Sequence, residues 1–234
     1  MKRLVVIGAT GDVGAGIIDE ALARRWAVLA VARNAAGLAA LTGQRRDPLL
    51  SIVAGSVASK QGALTLARAM CLGPGDSVVV SVNVAWDPKP IAETPAADLI
   101  RMFEANLIPH LVAAAVFLPL LSSDSAYVGI GGGMADWVPR HRAVVSMAQA
   151  AQRNLYRALA DEGPADGPAV REVLIASMVN GRSNRATARP EWVTDRDVGA
   201  MVCQVVQNPD SCPGPVIKIP HADPRGHRSP GSGK

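Results

Sequence analysis

Short runs of β-branched and other apolar residues alternate with longer segments whose apolar positions recur at helical spacing, from one end of the chain to the other. The runs predict strands near 3–8, 27–32, 49–54, 77–82, 125–131, 170–176 and 215–219, and the longer segments predict helices near 12–25, 35–43, 59–72, 95–121, 142–162 and 194–207. Alternation of this kind reads as βαβ units, so the expected class is α/β: a doubly wound parallel sheet of about seven strands flanked by helices. In such sheets ligands bind beyond the carboxyl ends of the strands, where the strand order reverses, which directs attention to the loops after the strands. No internal repeat is visible. Asp161 to Pro168 breaks a helix from a strand as a surface connection. The Pro-, Gly-, Ser- and His-containing end of the chain reads as a tail, giving one domain over 1–220 and a flexible segment over 221–234.

Composition narrows the class. Of the 234 residues 49% are apolar and 19% charged, which excludes a disordered or collagen-like chain, and aromatics at 3% leave the apolar content to Ala, Val and Leu. Arg225, Arg228 and Lys234 against Asp223 supply +2 of the net +4, and the remaining basic residues are interleaved with acids, so no nucleic-acid partner is expected. The three cysteines form no CxxC and cannot all pair, which points to a reducing compartment; His and Cys are not spaced for a metal. Met1-Lys2-Arg3 runs straight into a short apolar strand and a glycine turn, too short for a secretory signal. No uninterrupted apolar run reaches membrane-span length, so the expectation is a cytoplasmic protein that engages no membrane.

The first strand leads into Gly8-Ala9-Thr10-Gly11-Asp12-Val13-Gly14, and a helix follows. Gly8 and Gly11 permit a tight turn and close approach of the backbone to a pyrophosphate, Gly14 lets the helix pack on the strand, and the helix N-terminus offers N–H groups to the phosphates. This is the context of a Rossmann-like dinucleotide site, with Gly8, Thr10, Gly11, Asp12, Val13 and Gly14 as its loop and Asn83, past the fourth strand, as a further contact. The second strand ends Ala32-Arg33-Asn34, with no acid to accept a ribose 2′-hydroxyl. Arg33 can pair with a 2′-phosphate, so the expected cofactor is NADP(H).

With these residues in view the chain resembles the short-chain dehydrogenase/reductase family over nearly its whole length, to about residue 219. Phe103-Glu104-Ala105-Asn106-Leu107 resembles the family segment carrying a catalytic Asn, Leu118 to Leu121 that helix's end, and Val170 to Ile175 the strand before the nicotinamide loop. The resemblance implies a Tyr that exchanges a proton with substrate, a Lys four residues later, and a Ser about a dozen residues earlier. None of these carries over. Tyr127 and Tyr156 are followed four residues on by Gly131 and Ala160, and no lysine stands between Lys89 and Lys218. Matching the helices puts Val145 at the Tyr position, Gln149 at the Lys position and Gly131-Gly132-Gly133 where the Ser belongs, leaving Asn106 alone of the four. A positioned general acid contributes roughly 10²- to 10⁴-fold, so either another group supplies the proton or the task needs none.

His141, one helical turn before Val145, is the candidate substitute acid, and His110 is expected to pack. Trp86, Gly132, Met134, Trp137 and Val145 are expected to wall a pocket for a flat or cyclic small molecule. Asn180 and Ser183, in the segment replacing the family's nicotinamide loop, are candidates for the carboxamide, and Gln149 for the ribose. The expected function is an NADP(H)-dependent oxidoreductase on a small carbonyl or alcohol. The alternatives are a cyclase, isomerase or dehydratase on the same scaffold, and a catalytically silent dinucleotide sensor. Small residues on the fourth and fifth helices, with the family's habit, imply a homodimer or homotetramer.

Overall fold

The structure, a computed structural model, describes residues 1–84 and 86–219, so the expected tail over 221–234 lies outside the described residues. In chain order the strands are β1 (Arg3–Ile7), β2 (Ala27–Ala32), β3 (Leu50–Ala54), β4 (Asp76–Val80), β5 (Ala126–Gly132), β6 (Ala169–Ile175), β7 (Val179–Asn180), β8 (Val193–Thr194) and β9 (Val216–Ile219). The α-helices are α1 (Asp12–Ala23), α2 (Ala35–Arg45), α3 (Lys60–Met70), α4 (Ala96–Asn106), α5 (Ile108–Phe117), α6 (Ala143–Glu162) and α7 (Asp195–Gln207). Seven strands form one parallel sheet in the order β3-β2-β1-β4-β5-β6-β9, as the alternating pattern predicts, while β7 and β8 pair separately.

Strand side chains alternate between two buried layers. Leu4, Val6, Val28 and Ala30 meet Ile17, Ile18 and Leu38 on one face, beside Val198 and Val202 of α7. Val5, Ile7, Val78 and Val80 meet Leu66, Met70 and Phe117 on the other. Burial on both faces makes each central strand an apolar run. The order reverses between β1 and β4, so a crevice opens beyond their carboxyl ends.

One expected element is corrected. The single helix over 95–121 is two, because Pro109 has no N–H for the Ala105 carbonyl and its ring crowds that carbonyl; the chain resets at Leu107, whose own carbonyl takes the His110 N–H at 3.0 Å. Ala96–Leu120 has the length and apolar content of a membrane span, yet Ala113, Ala114 and Phe117 are buried against the sheet and Asp98 pairs with Lys89 and Arg101.

Helices α1 and α7 touch backbone to backbone. A methyl on Gly16 would collide with the Asp195 carbonyl, and one on Gly199 with the Gly16 carbonyl. Thr194 starts α7 with reciprocal bonds: its hydroxyl accepts from Asp197 N–H and its own N–H donates to the Asp197 carboxylate, both at 3.0 Å.

Candidate functional site

The glycine loop is shaped by what glycine alone allows. Gly8 has φ +90°, and any side chain on it would collide with the Ser81 carbonyl, so the loop lies hard against the end of β4. A methyl on Gly14 would strike the Gly8 carbonyl, which brings α1 equally close to the loop. The N–H groups of Gly8 and Ala9 both donate to the Val31 carbonyl, at 2.9 and 3.1 Å, and that of Gly11 to Gly8 at 3.1 Å. Gly11 caps α1 without a side-chain bond, so the first-turn amides face an anion or water. The Thr10 side chain packs over Gly37. The Asp12 carboxylate accepts the Ser183 N–H at 3.1 Å and the Ser183 hydroxyl, while Arg182 donates to the Thr10 carbonyl at 3.4 Å. The segment after β7 is therefore tied down over the start of α1.

Beyond the carboxyl ends of β1, β4, β5 and β6 lies a cleft of about 910 Å³. Asp12, Val13, Asn83, Trp86, Gly132, Met134, Trp137, Val145 and Gln149, drawn from four separate stretches of sequence, all line it. Val145 is buried with Val144, Ala148 and Met102, and Trp86 and Met134 pack on that group, so the position where the resemblance expects a tyrosine is part of an apolar wall. The Gln149 amide lies over Gly132 at a spot a side chain on 132 would fill, and its Oε1 is buried with no hydrogen-bond partner among the described residues. Two groups fix the loop after β5: Ser146 Oγ donates to the Met134 carbonyl at 2.7 Å, and Asp136 pairs with Arg153 and, at 2.7 Å, with Lys218.

The other expected residues lie elsewhere. Gly8, Thr10, Gly11 and Gly14 form the glycine loop beside the cleft, and Arg33 stands exposed at the end of β2 with no hydrogen bond or ion pair among the described residues. Asn180 lies in β7 with Oδ1 buried and without a partner among the described residues, and Ser183 is held by Asp12. Two expected residues are not among those lining the cleft. Asn106 does not line the cleft: its Oδ1 accepts the Val84 N–H at 2.7 Å and braces the chain after β4, while its amide nitrogen donates back to the Met102 carbonyl of its own helix. His141 does not line it either; it occupies a left-handed turn, φ +63°, where its carbonyl takes the Lys89 N–H at 2.9 Å.

Trp192 and Met178, from the segment between β6 and α7, join the wall without having been singled out. The available signal was a large apolar residue inside a polar loop. A second unforeseen feature lies behind β5, away from the cleft. His110 Nε2 donates to the Val82 carbonyl at 3.1 Å, which leaves Nδ1 to accept from the Tyr156 hydroxyl at 2.9 Å. Burial pushes His110 down to about 4 and both Tyr127 and Tyr156 above the ordinary tyrosine range. Beside them, burial pushes Glu172 up to about 7, against the opposing hydrogen bond from Gln152.

No family model matches the sequence, and no curated protein matches it. Solved structures do match in fold. A short-chain dehydrogenase/reductase from Brucella melitensis superposes with a TM-score of 0.79 at 22% identity, covering 93% of this chain and 94% of that one. A short chain oxidoreductase from Pseudomonas aeruginosa PAO1, described as containing an atypical catalytic center, gives 0.81 at 19% over 94% and 95%, and its NADPH-bound form gives 0.79. An alcohol dehydrogenase from Thermococcus sibiricus complexed with 5-hydroxy-NADP gives 0.80 at 16% over 99% and 100%. The chain thus has the fold of the short-chain dehydrogenases/reductases.

Proposed function

We propose that this chain is a member of the short-chain dehydrogenase/reductase family and an NADP(H)-dependent oxidoreductase, acting on a small, largely apolar substrate without a positioned proton donor. The observation that carries the reading is the phosphate loop: Gly8 and Gly14 leave no room for a side chain, and the uncapped start of α1 presents its amides beside the cleft. The NADPH and 5-hydroxy-NADP of two structures with this fold support the choice of cofactor.

The residues present fit such a group. The α1 amides would hold the pyrophosphate, Arg33 a 2′-phosphate, and the unpartnered Gln149 Oε1 a ribose hydroxyl. A bound reduced nicotinamide supplies a hydride. The chain's own contribution is positioning and exclusion of water: Val145, Trp86 and Met134 make the wall apolar, and the segment tied to Asp12 covers the loop. Exposed Ile100 and Leu111 on α4 and α5, with Met147 on α6, support a homo-oligomer built on these helices.

The test is titration of the full chain with NADPH and NADH by calorimetry, followed by NADPH oxidation against a substrate panel. Micromolar or tighter NADPH binding with turnover is the expected result. NADPH binding with no turnover on any C=O or C=N compound would replace the oxidoreductase with a sensor or a non-redox enzyme, and no binding would reject the reading.

A further inference from the structure

Resting on the oxidoreductase reading above, we infer that the substrate is a planar, apolar cation whose reacting bond is C=N⁺, an iminium, and not a neutral carbonyl. Proton bookkeeping comes first. Reduction of a ketone leaves an alkoxide that must be protonated, and enzymes place a general acid within hydrogen-bond reach of that oxygen. The described lining of this cleft contains no Tyr, His, Lys or Cys; its other proton-bearing groups are the Ser81 and Ser177 hydroxyls and the carboxyls of Asp12, Asp87 and Glu191, of which Asp12 takes the Ser183 hydroxyl and Glu191 meets Arg189. Its one basic side chain, Arg142, donates to the Trp86 carbonyl. The Ser177 hydroxyl donates to the Met178 carbonyl at 2.8 Å and accepts from Val193. His110 and Tyr156 are fully buried and do not line the cleft; they are bonded to each other, and His110 is bonded to the carbonyl of Val82, a lining residue.

An iminium needs none of this. When a hydride from the reduced nicotinamide reaches its carbon, a C–H bond forms, the C=N π pair moves onto nitrogen and cancels its positive charge, and the products are a neutral amine and the oxidised nicotinamide. No proton enters or leaves. The residues that replace the missing machinery, Val145 and Gly132 with Gln149 folded over it, are all uncharged.

The walls select the same ligand. Trp86, Trp137 and Trp192, three of the four tryptophans in the chain, line this cleft, and Trp137 is 58% exposed. Indole faces attract cations more strongly than any other side-chain ring. Three acids line it, Asp12, Asp87 and Glu191, against one cation, Arg142; Asp12 takes the Ser183 hydroxyl and Glu191 meets Arg189 at 4.0 Å, so the lining is net negative and Asp87 is its carboxylate without an ion pair among the described residues. An anionic substrate is repelled, a neutral one gains only apolar contact, and a flat cation gains both.

The experiment uses N-methyl-3,4-dihydroisoquinolinium, a permanently charged bicyclic iminium, beside 1-tetralone, a neutral ketone of similar shape. NADPH oxidation by the full chain is followed with each and corrected for the uncatalysed rate. Binding of each to the NADP⁺-loaded protein is measured by calorimetry. The iminium is expected to turn over at least about 100-fold faster than the ketone, the scale of a missing general acid, at a rate flat between pH 6 and 9. It should also bind more tightly than tetralone, and Asp87→Asn and Glu191→Gln should each weaken iminium binding up to about fivefold while leaving tetralone and NADPH affinity unchanged. Reduction of tetralone at a comparable rate, or tighter binding of tetralone than of the iminium, overturns the inference and leaves the oxidoreductase reading standing. NADPH binding with reduction of neither compound nor of any other C=O or C=N compound overturns both.

Discussion

Glu172 lies on β6 directly opposite Gly129 of β5, fully buried, with one carboxylate oxygen taking the Gln152 amide at 3.1 Å and the other without a partner among the described residues. Burial raises its pKa from 4.5 to about 7. In the unfolded chain this carboxyl ionises near 4.5, whereas the folded protein keeps the proton until about 7, so folding takes up a proton across that window. Stability from this group is therefore full below pH 4.5 and lost as pH rises through 7. At roughly 1.4 kcal/mol per pH unit between the two values, the loss by pH 8 is about 3 kcal/mol. Glu172→Gln keeps the shape and the acceptor for Gln152 but cannot ionise. The variant should match the wild type near pH 4.5 and exceed it by up to about 3 kcal/mol at pH 8, or roughly 6 to 12 °C in Tm for a chain of this size. Urea unfolding at both pH values, with m unchanged, is the measurement. A difference that does not grow with pH, or a variant less stable at pH 8, would show that the carboxylate is accommodated in the fold and refute the reasoning.

Further outcomes follow from other groups. Arg33→Ala should weaken NADPH binding by about 1.5 to 3 kcal/mol, the scale of a charged hydrogen bond, with NADH affinity unchanged; equal losses by calorimetry would remove Arg33 from the 2′-phosphate. Gly132→Ala should drive the Gln149 side chain off its seat, costing about 1 to 3 kcal/mol, and Gly132→Ala/Gln149→Ala should recover most of that loss. Additive losses in the double variant would break the link. His110 should stay neutral down to about pH 4, so its contribution to stability, present above 6.5, is lost as pH falls through that interval. NMR titration of its ring with a midpoint near 6.5 would contradict the burial.

The fold was legible because its strands are apolar runs between glycine turns, a pattern that depends on burial on both faces and on little else. Its edges came out within two residues for β1, β2, β3 and β4. The break at Leu107 was legible too, in Pro109, but the apolar continuity on either side outweighed it. The two-residue pairing of β7 with β8 leaves no trace in a sequence, being too short to carry a period. At the site, the glycine loop could be read because it is a demand on backbone shape, which glycine announces. Side-chain direction could not. Asn106 turns its Oδ1 to the Val84 N–H and His141 sits in a left-handed turn, and neither placement is announced by a periodic pattern.

The contact of Gly16 with Gly199 carries a mechanical consequence. Helix α1 begins at the glycine loop and α7 begins where the covering segment ends, at Thr194. With the two backbones touching and no side chain between them to yield, loop and anchor behave as one solid piece. The covering segment is then fastened at both ends and in its middle: Ser177 takes the Val193 N–H at 3.1 Å, β7 pairs with β8, and Ser183 is bonded to Asp12. A bulkier residue at 16 or 199 would therefore shift loop and anchor together and disturb the floor of the cleft along with its cover.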